Sequence, residues 1–96
     1  MAARHGEALT EIRRAVLDPR GDLSVEAREA ILAGAGPDAL QPYLEKVRRH
    51  AYRVRDEDVE ALRGSGWSDD ALFEATVAAA AGEGLRRFEL ALAALR

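Results

Sequence analysis

The last third of the chain constrains the fold most. Phe73, Val77, Ala80, Gly84, Phe88, Ala91 and Leu95 recur at steps of three and four residues, the spacing of one face of an α-helix. Ser68 is a good N-cap, and Asp69 and Asp70 behind it suit the positive end of the helix dipole. Trp67 before the cap and Leu72 four residues after it are placed to form a hydrophobic staple. The pattern predicts one helix as far as Leu95, about 40 Å long at ~1.5 Å per residue. Gly82 and Gly84 oppose it by about 1 kcal/mol each, so the alternative is a hairpin broken at Gly82-Glu83-Gly84. A helix that long outreaches a small domain, so part of its apolar stripe is expected to meet another subunit, with Ala80, Ala81 and Gly84 at the closest crossing.

The preceding segments also read as helices. Leu9, Ile12 and Val16 are helically spaced before Asp18-Pro19-Arg20-Gly21 stops the pattern. Ser24 caps a second helix with Glu26 in its first turn and Ala27, Ala30 and Ile31 as its apolar stripe, ended by Gly34, Gly36 and Pro37. A third begins near Asp38 or Gln41, with Pro42 at a first-turn position, and its stripe runs Leu40, Leu44, Val47, Ala51, Val54. Tyr43 and His50 flank that stripe. Asp56-Glu57-Asp58 opens a short fourth helix, with Val59 and Leu62 facing inward before Gly64-Ser65-Gly66. The expectation is an all-α single domain over residues 1–96 with a long C-terminal helix.

Composition narrows the chemistry. At 96 residues, a folded chain buries only roughly 60 to 65% of its unfolded surface. Five aromatics within a 48% hydrophobic content leave much of the apolar mass to alanine. The core should be thin, and self-association is the natural way to bury more. A net charge of −3 repels polyanions, so neither nucleic acid nor an anionic membrane surface is an expected partner. No apolar run reaches the ~20 residues of a membrane span, and the amino end lacks the apolar region of a signal peptide, so the cytoplasm is the expected compartment. There is no cysteine, which removes thiolate metal sites and leaves His5 and His50 as the imidazoles. No metal and no cofactor are expected.

The run HAYRVRDEDVEALRGSGWSDDALFEATVAAAAGEGLRRFELALAAL, His50 to Leu95, resembles the carboxymuconolactone decarboxylase and alkylhydroperoxidase D family. The likeness is carried by an acidic-capped short helix ending in Ala-Leu, a Gly-Trp-Ser-Asp-Asp turn and Leu-Phe-Glu-Ala-Thr-Val-Ala-Ala-Ala-Ala on a long helix. It extends more weakly back to Leu23. The resemblance implies an alkylhydroperoxidase D-like fold, long helices packed between subunits in trimers or higher rings, and a site near the interface. Redox members carry Cys-x-x-Cys on the third helix, followed by histidine. With His50 at the histidine slot, the cysteine slots fall at Leu44 and Val47, and a relay glutamate falls near Glu29 only with a short insertion. A thiol peroxidase needs a thiolate to attack peroxide and a second thiol to resolve the sulfenic acid. Leu44 and Val47 do neither.

Decarboxylase members need proton transfer and stabilisation of an anion instead. His50 and Glu74 are the candidate catalytic residues, and Tyr43 and Arg53 the candidate binding residues. Each has a plainer reading: His50 as a partly buried, hydrogen-bonded histidine, Glu74 as the partner of an arginine. Lys46, Arg48, Arg49, Arg53 and Arg55 make the third helix basic, suited to a small anionic ligand or simply to a solvated face. A helix-turn-helix over Asp56 to Ala81 would open its recognition helix with Asp69 and Asp70, the wrong charge for phosphate. Two functions follow: a non-redox oligomeric binding or scaffold protein, or a cysteine-independent decarboxylase or lactone-processing enzyme acting on a small carboxylate.

Overall fold

The computed structural model describes the backbone of residues 2–95 and the side chains of residues 6–95, so the His5 imidazole lies outside what is described. The described chain is all-helical: α1 Ala2–Val16, α2 Val25–Leu32, α3 Gln41–Arg49, α4 Asp56–Gly64 and α5 Asp69–Ala94. The last helix is continuous through both glycines. Its N-terminus is fixed as its sequence predicts, with the Ser68 hydroxyl accepting from the Ala71 amide at 3.0 Å. The Ser24 hydroxyl does the same for Ala27 at 3.1 Å.

Two glycines end helices in the left-handed region. Gly34 (φ +102°) closes α2 and Gly66 (φ +101°) closes α4. Paired backbone bonds accompany each turn: Ala35 N–H to Ala30 O and Gly34 N–H to Ile31 O after α2, Trp67 N–H to Leu62 O and Gly66 N–H to Arg63 O after α4. These are Schellman caps, which use up carbonyls that a helix end otherwise leaves without partners.

The third helix ends earlier than its apolar stripe suggests. α3 stops at Arg49, His50 takes a non-helical conformation (φ −142°, ψ 53°), and Ala51–Arg53 form a separate 3-10 turn. Ala51 is therefore exposed, while Val54 still reaches the core from extended backbone.

The core is thin, as the alanine content predicts. Leu23, Ile31, Leu40, Tyr43 and Leu44 pack against Ala71, Leu72, Ala75, Ala78 and Ala79 of α5, with Trp67, Val59 and Leu62 against the edge. Among the described residues, only Ile31, Leu40 and Leu44 are large side chains buried to completion. The alanines let helices approach closely. At Gly82 an added Cβ would fall deep inside van der Waals contact of the Leu32 carbonyl oxygen, so α5 crosses α2 closely at that point.

The buried face of α5 is not the expected stripe. Ala71, Leu72, Ala75, Ala78, Ala79 and Leu85 are buried, whereas Phe73, Val77, Ala80, Gly84, Phe88, Ala91 and Leu95 are all exposed. Phe73, the first residue of that stripe, is 69% exposed. Two apolar stripes thus share one helix, and the chain covers only the small-residue one. The surface area reflects this. A folded 10.4 kDa monomer exposes about 5,400 Å² by the usual mass scaling, and this chain exposes 6607 Å².

Candidate functional site

The six residues singled out from the sequence occupy three different environments. Leu44 is fully buried, and Val47 is half-buried against the same cluster. Both positions read from the resemblance as cysteine slots are thus aliphatic side chains at the core. Tyr43 lies beside them, 9% exposed, with its hydroxyl 2.6 Å from the Thr76 hydroxyl on α5. Because Thr76 also donates to the Leu72 carbonyl at 2.7 Å, the Tyr43 hydroxyl is the donor in that pair and ties α3 to α5.

Glu74 is committed elsewhere. Its carboxylate accepts from the Leu23 amide at 2.9 Å and the Asp22 amide at 3.0 Å. Both donors belong to the loop between α1 and α2. A Cβ on Gly21 would sit 2.6 Å from the same carboxylate, so glycine is what lets the loop backbone close over it. On its other side, Glu74 Oε1 lies 3.9 Å from Nε of Arg28, whose side chain is 4% exposed. Arg28 Nη1 donates to the Val16 carbonyl at the end of α1 at 3.0 Å, while Nε and Nη2 are buried without hydrogen-bond partners. The Glu74 carboxylate is thus the near charge that offsets a buried guanidinium. The arginine partner anticipated for Glu74 exists, and it is Arg28.

His50 and Arg53 are on the surface. The His50 ring meets the exposed Tyr52 ring edge-on at 6.0 Å between centroids, and the Arg53 guanidinium lies over the same ring at 5.6 Å. Glu29, the distant relay candidate, is exposed on α2.

Four cavities lined by described residues flank the helices. An apolar groove of about 490 Å³ runs between α1 and α5 and is lined by Leu9, Ile12, Ala81, Gly84 and Leu85 among others. A smaller polar one of about 150 Å³ brings Arg13, Arg48 and Arg86 together with Glu83 and Glu89. Tyr43 lines the remaining two, with Arg63, Phe73 and Thr76 in one and Lys46, Asp58 and Leu62 in the other. None of these four is lined by His50, Glu74 or Arg53.

The basic third helix also divides. Lys46 pairs with Asp58 at 2.8 Å and Arg49 with Glu45 at 2.8 Å. The Lys46 ammonium and the Arg55 amide together hold the Asp58 carboxyl below the usual carboxylate range. Arg48, read from sequence as part of the basic face, is buried, and its Nη2 donates to the carbonyls of Ile31 (3.0 Å) and Ala35 (2.7 Å) at the end of α2. Burial pushes its guanidinium below the ordinary arginine value. A signal for this was present, since Arg48 continues the row Leu40, Leu44 in steps of four. Arg28, one turn before Ile31 and Leu32, carries the same signal.

Among the described residues no group of three or more His, Asp or Glu is placed to hold a metal ion, and no helix is long and apolar enough to cross a membrane. Compared with known families, curated proteins and solved structures, the chain matches none.

Proposed function

We propose that this chain is a cysteine-less relative of the carboxymuconolactone decarboxylase and alkylhydroperoxidase D-like proteins, acting as a non-redox, homo-oligomeric binding or scaffold protein. The observation that carries the reading is the apolar stripe Phe73, Val77, Ala80, Gly84 on α5, exposed along its whole length on the single chain. The fate of the site residues supports it. Leu44 and Val47 are core, Tyr43 and Glu74 are bonded to neighbouring elements, and His50 stands apart with Tyr52. The enzyme reading needs His50 and Glu74 to face one substrate, and no described cavity joins them.

Sedimentation equilibrium at tens of micromolar tests the oligomer. A multiple of the chain mass is expected, and a folded wild-type monomer would overturn the proposal. Gly84→Leu sharpens the test because no described residue lies within 4 Å of a Cβ at that position. The substitution should leave the fold intact and lower the mass. An unchanged assembly in Gly84→Leu counts against α5 as the contact.

A further inference from the structure

We infer that the second copy packs antiparallel along α5, related by a two-fold axis near Ala80, with Phe73 of each copy seated in the α1/α5 groove of the other; this rests on the self-association proposed above. The same helix carries a projection and a recess. Phe73 projects 69% exposed near its start, and the groove of about 490 Å³ lined by Leu9, Ile12, Ala81, Gly84 and Leu85 lies towards its end. One chain cannot join them, because Phe73 and Gly84 are about 16 Å apart along a single rigid helix.

A two-fold contact places residue i against j and j against i. With the axis between Ala80 and Ala81, Val77 faces Gly84 of the second copy and the two central alanines face each other. Bulk then meets space where Val77 faces Gly84. Phe73 comes level with Phe88, which lines the mouth of the groove. In a parallel pairing Val77 would meet Val77, Gly84 would meet Gly84, and both grooves would stay empty.

Charge selects the same orientation. The first half of α5 carries Asp70, Asp69 paired with Arg63 and Glu74 facing Arg28, while the second half holds Arg86 and Arg87 against Glu83 and Glu89. Antiparallel packing brings the acidic start of one helix alongside the neutral, arginine-bearing end of the other. Parallel packing would set two acidic starts and two positive helix ends side by side. Area agrees as well, since the chain exposes about 1,200 Å² more than its mass requires, and a stable interface hides about 800 Å² per partner.

The absence of native cysteine makes the test clean. Single variants Val77→Cys and Gly84→Cys and the double variant are oxidised and run on non-reducing gels. The double variant should give cross-linked dimer and each single variant should not, because a disulfide needs Cα atoms within about 7 Å. Positions 77 and 84 of one helix are about 10 Å apart and cannot bridge internally. Dimer from either single variant, or none from the double variant in a protein whose mass is a dimer or larger, overturns the antiparallel packing while leaving self-association standing. A wild-type monomer by sedimentation overturns the reading beneath it. Phe73→Ser should raise the dissociation constant about tenfold or more with the far-ultraviolet circular dichroism unchanged; an unchanged constant removes Phe73 from the interface.

Discussion

Glu74→Gln separates a carboxylate that holds the fold from one that would do chemistry. The native side chain accepts from two backbone amides, at 2.9 and 3.0 Å, and lies 3.9 Å from Nε of a guanidinium that is almost wholly buried. Glutamine keeps one oxygen acceptor, so one hydrogen bond to a charged group is lost, worth about 1.5–3 kcal/mol. Removing the partner of a buried ion costs about 3–5 kcal/mol in the general case. Here the charges are not in direct contact and the Glu74 side chain is 19% exposed, so the expected total is lower, about 2–3 kcal/mol. For a domain of this size that is a fall in Tm of roughly 10–20 °C. The assay is urea unfolding followed by circular dichroism at fixed protein concentration, since self-association shifts apparent stability. A cycle with Arg28→Met completes it: the double variant should lose less than the sum of the singles by about 1 kcal/mol or more. A Glu74→Gln loss below about 0.5 kcal/mol, or additive singles, would refute the role assigned to this carboxylate.

Two further outcomes are expected. Gly82→Ala should destabilise by about 1–3 kcal/mol by overpacking against the Leu32 carbonyl, although alanine alone would favour the helix by about 1 kcal/mol; a variant more stable than wild type in urea would show that α2 and α5 do not cross there. On acidification, stability should hold above pH ~4 and fall below it. Asp18, held down to about 2 by the Arg20 side chain, and Asp58, held down by Lys46, have folded pKa values below the unfolded 3.8, so their contribution is present above that value and is lost as pH falls through the folded ones. Asp58→Asn should flatten the decline between pH 4 and 3, and a urea midpoint with the same pH slope as wild type would contradict this.

Much of the fold was legible because local signals and packing agree. Ser24 and Ser68 cap where their positions predict, and Gly34 and Gly66 stop helices by adopting a conformation other residues resist. The length of α5 was readable since its caps are strong and alanine propensity outweighs two glycines. What misled was the assumption of one apolar face per helix. On α5 the large residues Phe73 and Val77 drew the stripe, yet the chain buries Ala71, Ala75, Ala78 and Ala79 because only small side chains let α2 and α3 come close. Hydrophobicity ranks Phe above Ala, while close packing can rank them the other way. His50 was misjudged for a related reason: the stripe to Val54 persists through a break in the helix that no glycine or proline announces, so its flank position proved to be surface.

The buried ions show where the fold commits several of its charged side chains. Short helices joined by tight loops leave carbonyls at their ends and amides in their connections that need partners. In this chain ionised side chains supply them: Arg28 reaches the last carbonyl of α1, Arg48 reaches Ile31 and Ala35 at the end of α2, and Glu74 takes two amides of the connecting loop. An alanine-rich core has the room for such side chains, since it lacks the large apolar groups that would otherwise fill it. The arrangement spends on structure the residue types that a decarboxylase would turn towards substrate. It also makes these residues poor targets for a loss-of-activity screen, because their replacement lowers stability before it informs on any reaction. The α5 face bearing Phe73, Val77 and Gly84 is different. Of these, Val77 and Gly84 support none of the chain's described polar ties, and no described residue lies within 4 Å of a Cβ added at Gly84. Substitutions there change what the molecule meets without changing what holds it together, so they can report on function while the fold stays fixed.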